Sequence, residues 1–348
     1  MEKKGVIILV KRKKEGIMKE NTWKIEEMFL SPYAKKSVDT VGRLVKEEPC
    51  PMRTDFQRDR DRIIHCKAFR RLKNKTQVFF SPEGDHYRTR LTHTLNVSQV
   101  ARGIARSLNL NEDLTEAIAL GHDLGHTPFG HSGERILNKL SPTGFLHNEQ
   151  SGRVVDFLEN EGKGLNLTRE VVDGIINHKM NTKASTLEGL AVSLADRIAY
   201  INHDIDDAIA GGFITLKDLP KDAVALLGET SRQRINTMLM SIEKFSEGKN
   251  TVQMEAHVAE ATMELRSFLF ERVYKDKTFR DEEVKADRMI SALYEYYSNN
   301  LDKLPEFYKK RLDIDDTNTV LCDYLSGMSD AFAVKTFSEL FIPNNWKL

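Results

Sequence analysis

Cysteine is scarce in this chain of 348 residues, which contains only Cys50, Cys66 and Cys322. Three scattered cysteines are too few for a disulfide framework or a cysteine-rich zinc site, so we expect a reducing, cytoplasmic location. Net charge is also missing, because 52 basic residues balance 52 acidic ones. This balance excludes the overall basic character of a polyanion-binding protein, and any phosphate group must therefore meet a local cluster of cations.

Long hydrophobic runs are missing as well, and the apolar stretch at residues 5–10 is short. It cannot span a membrane, and flanking lysines without a small-residue cleavage site argue against a signal peptide. We expect residues 1–20 to be a mobile extension that contributes nothing to chemistry. Residues 14–18 can also be encoded by a purine-rich ribosome-binding sequence, which leads to the hypothesis that translation begins at Met18.

Strand signals are almost absent, since only residues 77–80 resemble a short β run. Apolar residues instead recur at helical spacing, which predicts helices over residues 87–108, 112–120, 133–140, 150–158, 168–178, 187–210 and most of 221–340. The predicted fold class is all-α, with at most a short β-hairpin. We expect one large helical domain over residues 21–348, divided into a core of about 60–215 and a C-terminal part of about 216–348.

A dense group of ionisable residues lies within residues 121–134. Its members are His122, Asp123, His126, His131 and Glu134. Histidine supplies neutral nitrogen ligands for metals, and a nearby carboxylate can complete a metal site or orient an imidazole. Glycines in the same segment let the backbone turn sharply. We interpret the segment as a reaction centre; the alternative is a glycine-rich corner with exposed histidines.

A second polar pattern lies in the predicted helix 187–210, where Asp196, Tyr200 and Asp204 follow one another at intervals of four residues. This spacing places all three side chains on one face of the helix. Buried acids are costly unless they are paired or metal-bound, so the face is either functional or exposed to solvent.

The predicted helix 87–108 carries Arg90 and His93 about one turn apart. The apolar residues expected on its buried stripe are Leu91, Leu95, Val97, Val100, Ile104 and Leu108. Arginines alternate with acids over residues 53–71, ahead of this helix. They form either a solvated, salt-bridged face or a supply of arginines for a polyphosphate pocket or a subunit interface.

The order of these residues resembles the ligand pattern of a known superfamily. His93, the pair His122-Asp123 and then Asp196 resemble the H…HD…D set of the HD-domain metal-dependent phosphohydrolases. Longer motifs are similar to those of the bacterial dGTPase-like deoxynucleoside triphosphate triphosphohydrolases: DRDRIIH at 59–65, FRRLK at 69–73, KTQVF at 75–79, TRLTHT at 89–94, the 121–134 segment, DRIAYINHD at 196–204 and DYLSGMSD at 323–330. The resemblance covers roughly residues 30–345.

The resemblance implies that His93, His122, Asp123 and Asp196 bind one divalent metal ion. Two imidazoles and two carboxylates suit Mn²⁺, Mg²⁺, Fe²⁺, Co²⁺ or Ni²⁺, and a six-coordinate ion keeps two positions for water and a phosphate oxygen. Enzymes of this family cleave the bond to the sugar 5′-oxygen, which yields a deoxynucleoside and intact inorganic triphosphate.

The resemblance also implies catalytic roles for four residues. His131 and Glu134 match positions linked to general acid–base work, and at this spacing the carboxylate can hold the imidazole in one tautomer. His126 matches a phosphate contact. His147 resembles a catalytic-pocket histidine of the related mammalian SAM-and-HD-domain dNTPase. Whether His131 activates water or protonates the leaving oxygen stays open at this point.

For the sugar, Gln77 and Val78 match positions that pack against the deoxyribose, while Tyr200 and Asp204 match positions that contact its 3′-hydroxyl. A close contact at C2′ leaves no room for an additional hydroxyl group. We therefore expect ribonucleotides to bind poorly.

For the phosphates, Arg90 matches an α-phosphate contact, and Arg197 and Lys75 are further polyphosphate candidates. The alternative for each arginine is an intrahelical ion pair. Among the remaining histidines, we interpret His65, His86, His203 and His257 as structural or surface residues. His178 follows a predicted helix end, where it either faces the pocket or is simply favoured by the helix C-terminus.

The leading interpretation is a triphosphohydrolase acting on dGTP or several dNTPs. One alternative is another HD phosphohydrolase, acting on nucleoside monophosphates, cyclic nucleotides or (p)ppGpp. The other is a non-catalytic protein that binds a nucleotide or single-stranded nucleic acid. The resemblance further implies a homo-oligomer without a membrane partner, with a dNTP or single-stranded DNA as the candidate allosteric ligand.

Overall fold

The computed structural model describes residues 17–77 and 88–343. These ranges contain sixteen α-helices and two isolated β-bridges but no strand, which confirms the all-α fold class. The helices are α1 (Ile17–Phe29), α2 (Asp55–His65), α3 (Lys67–Arg71), α4 (Arg90–Ser107), α5 (Glu112–Gly121), α6 (Gly130–Leu140), α7 (His147–Arg153), α8 (Arg169–Ile176), α9 (Leu187–Ala210), α10 (Lys221–Leu227), α11 (Ser231–Ser246), α12 (Ala256–Arg272), α13 (Lys277–Asn299), α14 (Glu306–Arg311), α15 (Thr317–Ser326) and α16 (Asp330–Phe341).

Two expectations fall largely outside the described ranges. Most of the 1–20 extension lies before Ile17, where α1 begins. Of the β-like run at 77–80, only Gln77 is described, and Thr76 beside it forms an isolated antiparallel bridge to Thr89. Among the described helices, none has both the length and the apolar character needed to cross a lipid bilayer.

The first hydrophobic core is built around α4, α5 and α9, which pack against one another. It extends from Phe56 to Val273 along the chain and includes the fully buried Val97 and Ile198. The expectation that Leu95 belongs to the buried stripe of α4 is wrong, because its side chain is 50% exposed. Leu95 follows the buried His93 by two positions, a rotation of about 200°, and so points away from the core.

Polar side chains define where the helices of this core begin. Thr89, Asn111 and Thr186 precede α4, α5 and α9, and each side chain accepts a hydrogen bond from the backbone N–H three residues later. Such caps satisfy N–H groups that have no partner inside the helix. The caps help to set the start of each helix, and with it the face that each helix turns toward the others.

A second hydrophobic core joins α6 to the C-terminal helices. Leu137 of α6 is fully buried together with Ile290 of α13 and Leu321 of α15. The two cores are linked by the buried Asp323 carboxylate, which accepts hydrogen bonds from Gln150 and Arg153 of α7.

The segment between α5 and α6 turns sharply beside α7. Phe129 and Gly130 both have left-handed backbone conformations, with φ of 61° and 54°. A Cβ atom added at Gly125 would lie 2.2 Å from the backbone nitrogen of Ser151, a distance that no side chain tolerates. Glycine at 125 therefore permits a close backbone approach, while Gly130 permits the turn itself.

Candidate functional site

Four side chains from α4, from the end of α5 and from α9 converge at the centre of the first core. His93 Nε2 lies 3.0 Å from Asp196 Oδ1 and 3.9 Å from Asp123 Oδ2. His122 Nε2 lies 3.4 Å from Asp123 Oδ1 and 3.7 Å from Asp196 Oδ1. We call His93, His122, Asp123 and Asp196 the metal group.

The spacing within the metal group suits one ion. Ligands about 2.1 Å from a six-coordinate ion are about 3.0 Å apart when adjacent and about 4.2 Å apart when opposite, and the four distances fall within this range. His122 Nδ1 donates to the backbone oxygen of Ala119 at 2.7 Å. Its Nε2 is therefore a bare acceptor, and this buried atom has no hydrogen-bond partner among the described residues. Such an orphaned lone pair, facing two carboxylates, is what a cation requires.

The carboxylates of the metal group remain ionised despite burial. Burial alone would raise the pKa of Asp123, but the Arg90 guanidinium and the hydrogen bond with His126 help to hold that pKa well below its usual value. Arg90 donates to Asp123 Oδ2 at 2.8 Å and to the backbone oxygen of Gln77 at 3.0 Å. Arg90 thus supports Asp123 in the charged form that binds cations.

A second group of potential ligand atoms consists of Asp123, His126 and His147. The rings of His126 and His147 are stacked, with centroids 3.8 Å apart and planes inclined by 15°. A metal ion lies close to the plane of each imidazole that binds it, so two nearly parallel stacked rings cannot both bind one ion. The second group is therefore less suited to a single ion than the metal group is.

Glu134 binds His147 more closely than the expected partner His131. Its carboxylate oxygens lie 2.9 and 3.0 Å from His147 Nδ1 but 3.5 Å from His131 Nδ1. Burial opposes ionisation of Glu134, yet hydrogen bonds with His131 and His147 hold its pKa well below the usual range. The His131 side chain is 67% exposed, whereas His147 is buried. The sequence spacing alone did not reveal the partner on α7.

The metal group opens into a cavity of about 940 Å³. Expected site residues on its wall are Gln77, Arg90, His93, Asp123, His126, His131, His147, Asp196, Arg197, Tyr200 and Asp204. His178 also lines the cavity, so the interpretation in which it faces the pocket is confirmed. Two orphaned atoms, Gln77 Oε1 and Arg197 Nε, are buried without a hydrogen-bond partner in the described part of the chain.

The structure does not bring every expected residue to the cavity. Lys75 is buried, and its Nζ donates to the backbone oxygens of His126 and Ser326. It therefore supports the 121–134 segment from behind, and its assignment as a polyphosphate contact is wrong. Val78 lies outside the described residues, as does His86.

The other weakly assigned residues lie away from the cavity. His65 and His257 are exposed, whereas His203 is buried. Several arginines of 53–71 pair with acids: Arg58 and Arg62 with Glu47, and Arg60 with Asp113. These contacts agree with the salt-bridged interpretation of that segment.

The end of α12 contributes residues that the sequence interpretation missed. Arg266 Nε donates to the hydroxyl oxygen of Tyr200 at 2.9 Å, and the Tyr274 hydroxyl donates to Asp204. Phe270 lies between them in sequence, under the guanidinium of Arg266 at 4.6 Å. The spacing 266, 270, 274 repeats the four-residue interval of α9, and this matching pattern was the signal available in the sequence.

Four cations from separate parts of the chain surround the outer part of the cavity. They are Arg135 of α6, Lys179 after α8, Lys275 after α12 and Arg280 of α13. Arg135 pairs with Glu283 and Asp287, which also line the cavity. The chain thus has a local cationic cluster despite its zero net charge.

A cluster of two histidines and two aspartates, held by helices beside a cation-lined cavity, defines the class of HD-domain metal-dependent phosphohydrolases. The model of the HD domain matches residues 90–201, and that of the phosphohydrolase-associated domain matches residues 252–339. The first match includes the whole metal group. The second includes Arg266, Phe270 and Tyr274.

Relatives from several bacteria match nearly the whole chain. A deoxyguanosinetriphosphate triphosphohydrolase-like protein of Caldanaerobacter subterraneus is 57% identical over 329 residues, covering 94% of this chain and 97% of the relative. Proteins of the same name from Clostridium tetani and Desulfatibacillum aliphaticivorans are each 48% identical, and the matches cover 95% of each relative. The chain belongs to the deoxyguanosinetriphosphate triphosphohydrolase-like family.

Proposed function

We propose that this protein hydrolyses deoxynucleoside triphosphates, either dGTP or several dNTPs, to the deoxynucleoside and inorganic triphosphate. The observation that carries the proposal is one cavity that combines the metal group, a cationic rim and the paired polar stripes of α9 and α12. These features match the three parts of a dNTP: the reacting phosphate, the outer phosphates and the sugar. The names of the relatives agree with this substrate class.

The metal group is suited to a single divalent ion, and we propose Mn²⁺, Mg²⁺, Fe²⁺, Co²⁺ or Ni²⁺. Such an ion, when bound, polarises a phosphate oxygen and lowers the pKa of water. His93, His122, Asp123 and Asp196 would hold it, and Arg90 keeps Asp123 charged and oriented. Two ligand positions of a six-coordinate ion would be left for non-protein groups.

Phosphate binding falls to arginine and lysine side chains, and to the buried His126, around the metal group. Arg90 and His126 are buried next to Asp123, where they can contact the α-phosphate. Arg197 and Arg266 lie on the cavity wall nearby, and guanidinium groups bind phosphate in bidentate fashion. Lys179 and Arg280 at the rim are then candidates for the outer phosphates.

Sugar binding falls to the wall made by α9, the end of α12 and Gln77. Tyr200 and Asp204 offer polar atoms to a 3′-hydroxyl, and Tyr274 closes the space beside Asp204. Gln77 presents the orphaned Oε1 atom to this wall. Val78, the next residue, stays a proposed contact of the deoxyribose. A tight wall near C2′ rejects an added hydroxyl group.

Acid–base chemistry is assigned to His131. Its ring is exposed on the cavity wall, and Glu134 lies 3.5 Å from Nδ1 on the far side. A carboxylate in this position favours the tautomer with the proton on Nδ1 and leaves Nε2 for the substrate or for water. Glu134 and His147 act behind His131 as the groups that orient it.

The test is a product assay with each of the four dNTPs, alone and mixed, in the presence of Mn²⁺ or Mg²⁺. Release of intact triphosphate with a deoxynucleoside is the expected result. Release of orthophosphate from nucleoside monophosphates, of a nucleoside monophosphate from cyclic nucleotides, or of pyrophosphate from (p)ppGpp would instead support another HD phosphohydrolase. Binding of dNTPs without any turnover, including in mixtures, would indicate a binding protein.

GTP provides the control for the sugar site, because it differs from dGTP only at C2′. We expect much slower turnover of GTP than of dGTP. Equal rates would contradict the assignment of Gln77 and Val78 to the deoxyribose.

A further inference from the structure

His178 has no role in the reaction described so far, yet it is buried beside the catalytic residues. It follows α8 and is only 3% exposed. Its Nδ1 lies 2.7 Å from the backbone oxygen of Ile175, and its Nε2 lies 3.2 Å from Nε2 of His147. Its ring also packs edge-on against the ring of His122, with centroids 5.0 Å apart.

The direction of these hydrogen bonds follows from the available donors and acceptors. A backbone carbonyl oxygen can only accept, so Nδ1 of His178 carries a proton and its Nε2 is a bare acceptor. Two bare nitrogens facing each other at 3.2 Å would repel. His147 must therefore donate its Nε2–H to His178.

The opposite edge of His147 is equally constrained. Its Nδ1 faces both oxygens of the ionised Glu134 carboxylate at 2.9 and 3.0 Å, so Nδ1–H donates to that carboxylate. With both nitrogens protonated, the ring is a cation paired with Glu134; burial lowers the pKa of His147, and the Glu134 carboxylate opposes that shift. Glu134 in turn accepts hydrogen bonds from the backbone nitrogen of His147 and from Lys179 Nζ. The imidazole of His147 is thus held at both nitrogens, between one carboxylate and one histidine.

We propose that His178 is a positioning residue for His147, and that it completes a chain running from His131 through Glu134 and His147 to the Ile175 carbonyl. The chain fixes the angle of the His147 ring, and the stacked ring of His126 with it. Glu134 is thereby oriented toward His131. This inference rests on the proposed function, because it concerns the acid–base group of that same site.

Packing alone would require only a side chain of similar shape at position 178. The hydrogen-bond proposal requires an acceptor at the place of Nε2. The two accounts can be separated with side-chain amides, because glutamine places a polar atom near the Nε2 position and asparagine near the Nδ1 position. Asparagine therefore keeps the contact to Ile175 and loses the one to His147.

The first experiment compares His178→Gln with His178→Asn in the dNTP product assay. For His178→Asn we expect kcat to fall about 10- to 100-fold, the usual effect of losing an outer hydrogen-bond partner of active-site residues. KM and bound metal should stay within about twofold, since the metal group and the residues proposed to bind the sugar and the phosphates are unchanged. His178→Gln should recover most of the lost rate.

Three outcomes would overturn the proposal. Wild-type kcat in His178→Asn would show that the acceptor is dispensable. An equal loss in both variants would assign His178 to packing. Loss of metal from His178→Asn would show that His178 supports His122 instead of His147.

A second experiment does not depend on turnover. Spectra of the full protein labelled with ¹⁵N-histidine, in its Mg²⁺ form, should show His178 protonated at Nδ1 and bare at Nε2. They should also show a protected N–H at Nε2 of His147 that is lost in His178→Asn. The opposite tautomer of His178 would contradict the proposed series of hydrogen bonds. If the wild-type enzyme released no triphosphate, the proposed function would fail while these spectra still decided the role of His178.

Discussion

Backbone carbonyl groups set the tautomers of two buried histidines. His122 and His178 each donate an Nδ1–H, at 2.7 Å, to the carbonyl oxygen three residues earlier. In each case the bare Nε2 points toward the site. In this tautomer His122 can serve as the proposed metal ligand and His178 as the proposed hydrogen-bond acceptor, without any change in the protonation of either ring.

Asp123 pairs with Arg90 and His126 as well as lying beside its partners in the metal group. Substituting Asp123→Ala removes one ligand and leaves the Arg90 cation buried without its acid. We expect both bound metal and dNTP turnover to be lost. Metal content by elemental analysis and triphosphate release test this, with the exposed His257→Ala as control. An active variant that retains metal would contradict the assignment of the metal group.

His131 is separate from the metal group, and its removal should have a different effect. We expect His131→Ala to keep wild-type metal content while its rate falls by roughly 10²–10⁴-fold, the usual contribution of general acid–base catalysis. The same two assays measure this, with the exposed His65→Ala as the matched control. Loss of metal from His131→Ala would place this histidine in the ion site instead.

At the scale of elements, α9 and the end of α12 present matching stripes to each other. Tyr200 pairs with Arg266, and Asp204 pairs with Tyr274. Burial raises the pKa of Asp204 to about 7, although the hydrogen bond from Tyr274 partly opposes this shift. Near neutral pH the native protein therefore holds Asp204 between its protonated and ionised forms.

The raised pKa of Asp204 predicts a pH-dependent stability. Between the unfolded pKa near 3.8 and the folded pKa of about 7, the native state binds a proton that the unfolded state has released. The contribution of Asp204 is thus fully present below this window and falls as pH rises through it. Asp204→Asn cannot ionise, so it should raise the thermal midpoint relative to wild type more at pH 8 than at pH 5. A difference that is the same at both values would contradict the assigned pKa.

At the scale of the whole molecule, the two hydrophobic cores meet at Asp323. Its buried carboxylate accepts hydrogen bonds from Gln150 at 2.8 Å and from Arg153 at 2.7 and 3.0 Å. α7 carries both of these partners and also begins with His147. The junction between the cores therefore lies next to the residues that we propose to be catalytic.

Breaking this junction should destabilise the protein. Removing one partner of a buried ion pair costs about 3–5 kcal/mol, and because Arg153 is partly exposed we expect about 2–3 kcal/mol for Asp323→Ala. Urea unfolding measures the change. The control is Asp302→Ala, whose ion pair with Lys303 is largely exposed and whose loss should leave stability unchanged. Equal effects of the two substitutions would show that Asp323 does not couple the cores.

Sequence spacing predicted local features of the helices better than it predicted which side chains are buried. Helical spacing predicted α9 at its observed bounds, and the face shared by Asp196, Tyr200 and Asp204 followed from a local repeat. The same reasoning wrongly placed Leu95 in the core. Leu95 is apolar like the buried residues of α4, and its residue type alone does not show that it lies beside the buried face of that helix. Lys75 was assigned to phosphate because its charge is visible in the sequence and its burial is not.

The sequence by itself determined the all-α class and the main helices, because helical periodicity is a local property of the chain. The four residues of the metal group were expected from a resemblance of motifs that lie far apart in the sequence, and their binding of an ion stays a prediction. Only the tertiary structure decided which side chains meet across helices. Glu134 lies closer to His147 than to His131. The end of α12 completes the cavity, and His178 accepts a hydrogen bond from His147. These pairs are joined by packing between distant segments, and sequence spacing carries no information about that packing.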